Sequence, residues 1–173
     1  MILHFFDVSN DQRNQLHKMS ASGIFGLGVS VTIIAYLMRN SLSPFLLYFG
    51  LGLHLSILLF RLYILELHHK MSMKENAKWT LLFTIGAFLS GASWGGLAVV
   101  MNSMVSIEYQ FILFATIIGL SSVGISTLGV VFISYLAFML PMIIPIVIWL
   151  LMQNTEVYHI AALLSLIAIF FSL

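Results

Sequence analysis

The sequence contains no cysteine, which removes disulfides, zinc–thiolate sites, iron–sulfur clusters and thiol nucleophiles together. Charge is scarce as well. Asp, Glu, Lys and Arg make up 8% of the 173 residues, against about 25% in soluble domains. A net charge of +1 gives no attraction to nucleic acid. No P-loop, H-E-x-x-H or dinucleotide fingerprint occurs, so no cofactor is expected. What is abundant is apolar surface: 61% of the residues are hydrophobic, more than a chain can hide from water in a soluble core. Lipid removes that difficulty. The expected fold class is an all-α, polytopic membrane helix bundle whose first partner is the lipid bilayer.

A spanning helix needs about 20 mostly apolar residues. Six stretches meet or approach that length: roughly 21–38, 44–65, 79–101, 109–126, 130–152 and 158–173. Residues 1–20 form a cytoplasmic or interfacial lead-in, with a helix expected to start after Ser9. Met1–Phe6 is too short and too poor in basic residues for a signal peptide. Tyr109–Met152 carries no charge and is too long for one span, so a hairpin is expected at Gly124–Gly129. With the N-terminus inside, Arg13, Lys18, Lys70, Lys74 and Lys78 fall on the cytoplasmic side and only Arg39 outside. Tyr36, Tyr48, Tyr109, Trp149 and Tyr158 then lie at the outer interface and Trp79 at the inner one. Six spans place the C-terminus inside too, in a bacterial inner membrane. The last stretch, of 16 residues, ends without a polar flank, so the chain reads as the amino-terminal part of a longer protein, or one cut there, whose remainder would begin in the cytoplasm.

Within the spans, a few residues invite a chemical reading. His54 and Arg61 are the ionisable residues deepest in an expected span; seven positions apart, they share one face of the second helix. Such residues are functional candidates by default. Arg61 is close enough to the cytoplasmic end to snorkel there, and His54 is expected on a serine or a carbonyl of another helix. Ala87, Gly91 and Gly95 line one face of the third span, as Ser22, Gly26 and Ser30 do in the first; small faces allow close helix packing, or a homodimer. Gly91-Ala92-Ser93-Trp94-Gly95 matches the G-x-S-x-G pattern of serine hydrolases, with His159 as the conceivable base, yet it falls inside an apolar helix. His68 and His69 are adjacent and make a poor chelating pair, so no metal is expected. Pro141 and Pro145 should kink the fifth span, as a packing bend or as a hinge beside a small cavity.

Arg61, Trp79, the run Gly86–Gly95 with Trp94 at its core, the small-residue stretch from Gly119 to Gly129, Tyr135 and Leu140-Pro141 with Pro145 occur in a familiar order. This order resembles the amino-terminal multi-helix membrane region of bacterial signalling proteins that carry a cytoplasmic GGDEF, EAL or histidine kinase domain. The resemblance covers roughly residues 48–173. It implies a sensory and anchoring role. The candidate signalling or ligand residues are then His54, Arg61, Trp94, Pro141 and Pro145, and the small-residue spacing gives Gly26, Gly91, Gly95 and Gly119 as candidate packing residues. A small hydrophobic ligand or a change in the bilayer would be the stimulus. No GGDEF loop or phosphoacceptor histidine box is present, so no catalytic activity is expected of the chain itself. A small carrier or channel is the rival from another class; it requires a polar path past Ser93, Ser121, Ser122 and Thr127 around His54.

Overall fold

The structure is a computed structural model and describes residues 8–70 and 76–172. Lys74 and the first seven residues lie outside that description, as do the side chains of His69 and Lys70. The fold is an all-α bundle of six helices: α1 (Asn10–Met38), α2 (Pro44–Lys70), α3 (Asn76–Asn102), α4 (Ile107–Leu128), α5 (Phe132–Leu151) and α6 (Glu156–Ser172). The first five are long and apolar enough to cross a membrane, and α6 is a shorter apolar helix. The chain is a multi-pass helical membrane protein.

Local chemistry sets the helix starts. Ser9 caps α1 reciprocally: its hydroxyl accepts from the Gln12 amide at 3.2 Å, and its own amide donates to Gln12 Oε1 at 3.1 Å. From there α1 runs unbroken for 29 residues, so the polar lead-in and the first span are one helix. Ser43 accepts from the Leu46 amide at 3.3 Å, and Pro44 opens α2 where its missing N–H is harmless. The hairpin expected at Gly124–Gly129 comes later. α4 continues to Leu128, and the turn closes through Gly129 and Val131, whose amides donate to Ile125 and Leu128. Glycine and serine in an apolar run are not turn signals in lipid, because an unpaired backbone is costlier there than a weak helix former.

α3 and α5 form the most extensive pairing and make the spine of the bundle. The reason is glycine. A Cβ on Gly91 would lie 2.0 Å from the Phe138 carbonyl oxygen, and one on Gly95 would lie 2.3 Å from that of Pro141. Backbone therefore meets backbone, at a distance only small residues permit. α5 stays helical through both prolines. Pro145 brings no N–H to the Pro141 carbonyl, and that oxygen rests on the Cα face of Gly95, the contact that weak Cα–H···O bonds use. The small face of α1 has no partner within the chain among the described residues. A Cβ on Gly26 or Gly119 would meet nothing within 4 Å; α1 instead buries Gly23, Ile24, Leu27, Val31 and Ile34. The outer surfaces are apolar, with Phe25, Phe45, Leu59, Ile118 and Leu164 exposed to lipid.

Candidate functional site

α2 and α3 run antiparallel in a constant register. Gly50 faces Leu97, His54 faces Ser93, the stem of Arg61 lies on Gly86, and the ring of His68 meets that of Trp79. This register collects the polar residues of two apolar helices into one buried layer at mid-bundle: Arg61, Ser90, Ser93, His54 and Trp94, each less than 9% exposed.

In this layer His54 Nδ1 lies 3.0 Å from the Gly50 carbonyl oxygen, which can only accept, so Nδ1 carries a proton. Nε2 lies 3.4 Å from Ser93 Oγ, and that hydroxyl also lies 2.9 Å from the Ser90 carbonyl. Ser93 has a single proton. With a neutral imidazole it must choose between Nε2 and the carbonyl, and the shorter distance favours the Ser90 carbonyl. The Trp94 ring stands edge-on to the imidazole, with centroids 4.8 Å apart, and its buried Nε1 has no hydrogen-bond partner.

Arg61 departs from the snorkelling expectation. It is 3% exposed, and its head turns toward mid-bundle rather than toward the helix end. Nη1 donates to Ser90 Oγ at 3.3 Å, Ser90 passes its own proton to the Gly86 carbonyl at 3.0 Å, and the guanidinium carbon lies 5.6 Å from the Phe83 ring centre. Nε is buried without a partner. The stem explains the direction: Gly86 leaves a slot in α3 in which a Cβ would come 3.0 Å from Arg61 Cγ.

The remaining candidates are dispersed. Ser121 and Ser122 bond back to the carbonyls of Ile117 and Ile118, one turn earlier on their own helix, and face a groove between α4, α5 and α6. Thr127 does the same to Val123 and faces α1. Two small, partly open cavities adjoin the layer, of about 20 Å³ beside His54 and Trp94 and about 10 Å³ beside Arg61. The serines and Thr127 therefore do not line one polar path among the described residues. The G-x-S-x-G run is likewise not a nucleophile elbow. Its glycines seat α5, its serine is mid-helix, and the backbone amides that an oxyanion would need are engaged in helix bonds. The histidine beside Ser93 is His54; His159 is exposed at the start of α6.

Two end clusters went unread in the sequence. At one end Arg13 Nη2 donates to the His68 carbonyl at 2.8 Å, a cation on the negative end of α2, and lies 5.4 Å from the Trp79 ring centre. His17 stacks on His68 at 4.2 Å, and Trp79 Nε1 donates to the Ile64 carbonyl at 2.9 Å. At the opposite end the Tyr158 hydroxyl donates to Gln110 Oε1 at 2.7 Å, Gln110 Nε2 donates to the Asn102 carbonyl at 2.8 Å, and Trp149 meets the Tyr158 ring edge-on. For the mid-bundle layer the available signal was the spacing of Gly86, Ser90 and Ser93, which puts a small and polar stripe on one face of α3 opposite His54 and Arg61. No family model, curated protein or solved structure matches the chain.

Proposed function

We propose that the chain is the membrane-embedded sensory and anchoring module of a bacterial signalling protein, set in the inner membrane with its N-terminus in the cytoplasm. The observation that supports this reading is how unequally the helices are held. α3 and α5 are locked backbone to backbone, whereas α6 packs on α5 and is tied to α4 through Tyr158 and Gln110 near its first turn. Beyond that tie a groove of about 370 Å³, lined by Phe114, Ile118, Ser121, Met139, Leu164 and Ser165 among others, separates α6 from α4. An arm fastened near one end against a rigid spine has more than one arrangement. A bilayer change or a small apolar molecule in the groove acts by favouring one of them. Cytoplasmic placement of Arg13, Lys18 and Lys78, with Arg39 opposite, supports the orientation and points the C-terminal end of α6 inward. An output domain of GGDEF or kinase type, as the resemblance implies, would be driven from that end.

The absence of cysteine makes the test clean. Ile118→Cys and Leu164→Cys, both on the groove walls, carry spin labels in the full chain reconstituted in bilayers of differing acyl length. The expected result is a distance distribution that shifts with bilayer thickness or with an added apolar compound. One narrow distribution under every condition defeats the reading.

A further inference from the structure

We propose that Arg61 holds a monoatomic anion of chloride size in the cavity between α1, α2, α4 and α5. The inference is independent of any sensory role and starts from an imbalance of charge. Arginine does not shed its proton in proteins, so this buried side chain is a cation. A buried charge left without a counter-charge is strongly unfavourable. Of the acidic residues among the described ones, Asp11, Glu108 and Glu156 sit in the first turns of α1, α4 and α6, and Glu66 is exposed near the end of α2. None of them pairs with Arg61. Its one hydrogen bond goes to Ser90, and Nε is buried and unpartnered.

The cavity beside it decides what can supply the missing charge. Leu27, Leu120, Leu128 and Phe138 form its apolar walls, and its polar side chains are Arg61 and Thr127. The Thr127 proton is already given to the Val123 carbonyl at 2.8 Å. Among the described residues Arg61 is the one side-chain donor on the cavity, and the Thr127 oxygen, its proton spent, is the one side-chain acceptor. A water could accept from the guanidinium and donate one hydrogen to Thr127, but it brings no charge, whereas a halide supplies the counter-charge that Arg61 lacks. Two glycines make the room: a Cβ on Gly124 would press the Phe138 ring at 3.0 Å, and one on Gly23 would press Thr127 at 3.1 Å. The space, about 10 Å³, is of the order one water-sized body needs, so a halide enters with a small outward shift of the walls and phosphate or a lipid headgroup is too large.

The test uses the full chain in non-ionic detergent, free of lipid and exchanged into gluconate, with chloride as the probe. Chloride NMR line width should show excess broadening that saturates and is displaced by bromide. The melting temperature should rise by a few degrees in chloride or bromide over gluconate at equal ionic strength. Arg61→Gln should abolish both effects. Gly124→Ala, which narrows the cavity and leaves Arg61 in place, should weaken chloride binding by tenfold or more and serves if the first variant does not fold. Linear, unsaturable broadening with anion-independent melting of the unaltered chain overturns the proposal, as does broadening that survives in Arg61→Gln. Protection by inorganic phosphate equal to that by chloride overturns the assignment to a monoatomic ion.

Discussion

At the scale of single residues, the same amino acid carries opposite weight according to what faces it. Gly91 and Gly119 are both helical glycines in apolar sequence, yet a methyl on the first would overlap the Phe138 carbonyl while one on the second meets nothing. Gly91→Ala should therefore force α3 and α5 apart at a cost of about 1–3 kcal/mol or more. Gly119→Ala should be neutral or stabilising by up to about 1 kcal/mol through helix propensity. Thermal or denaturant unfolding of the two variants in one detergent checks the pair, and equal effects would contradict the described contact. Ser90 offers a sharper contrast. Ser90→Ala strips the one hydrogen-bond partner of a buried guanidinium, for which about 1.5–3 kcal/mol is expected, whereas Ser93→Ala loses a 3.4 Å contact and should cost less than about 1 kcal/mol. Part of this was legible beforehand. The small spacing around Gly91 and Gly95 marked a packing face. His54 was expected on a serine or a carbonyl of another helix; it meets Ser93 of α3 at 3.4 Å, while its shorter bond is to Gly50 of its own helix. Gly26 looked equivalent to Gly91, because spacing within one helix does not say whether a partner covers that face. Arg61 was expected to snorkel, because the slot that turns its stem inward belongs to Gly86 on α3, and the register that brings the two together is not written in either segment alone.

At the scale of elements, apolar length placed the helices well and their ends less well. A charge-free run such as residues 109–152 carries little to mark its turn. Hydroxyls are the reason the polar residues misled. Ser121, Ser122, Ser126 and Thr127 each satisfy themselves on a carbonyl one turn back, so a cluster that reads as a hairpin or a path is an ordinary stretch of helix in lipid. The tie on α6 was illegible for a different reason. Tyr158 and Gln110 meet across 48 positions, and each alone looks like an interfacial polar residue. That tie makes a prediction at its own scale. Tyr158→Phe removes one hydrogen bond worth about 1 kcal/mol, so amide hydrogen exchange through the first turns of α6 should quicken roughly fivefold. Exchange in α3 and α5 should stay unchanged. Uniform quickening throughout the bundle would show that α6 is part of the spine and not an arm on it.

At the scale of the whole molecule, the question is whether the polar layer at mid-bundle opens to anything. A carrier or channel needs its polar groups strung along one water-accessible path. Here His54 and Ser93 are enclosed with Trp94, Arg61 lies beside Thr127 and Phe138, and Ser121 and Ser122 face the lateral groove on the lipid side. The cavities next to the first two hold about 20 Å³ and about 10 Å³, room for one or two small bodies and not for a file of them. Between the layer and the ends stand the ring stack of Trp79 on Phe83 on one side and buried Leu97, Met101 and Leu113 on the other. Opening a path through these would have to part α3 from its neighbours, and α3 is the helix whose glycines lie directly on the α5 backbone. Vesicles containing the chain should consequently show no more chloride, potassium or proton flux than empty ones, even while chloride binds at Arg61. Saturable flux abolished by Arg61→Gln would mean that the bound ion passes through, and the sealed spine would have to be given up. An ion that binds and does not pass instead acts as a fixed counter-charge. In that role it fastens α2 to α4 through the centre of the bundle.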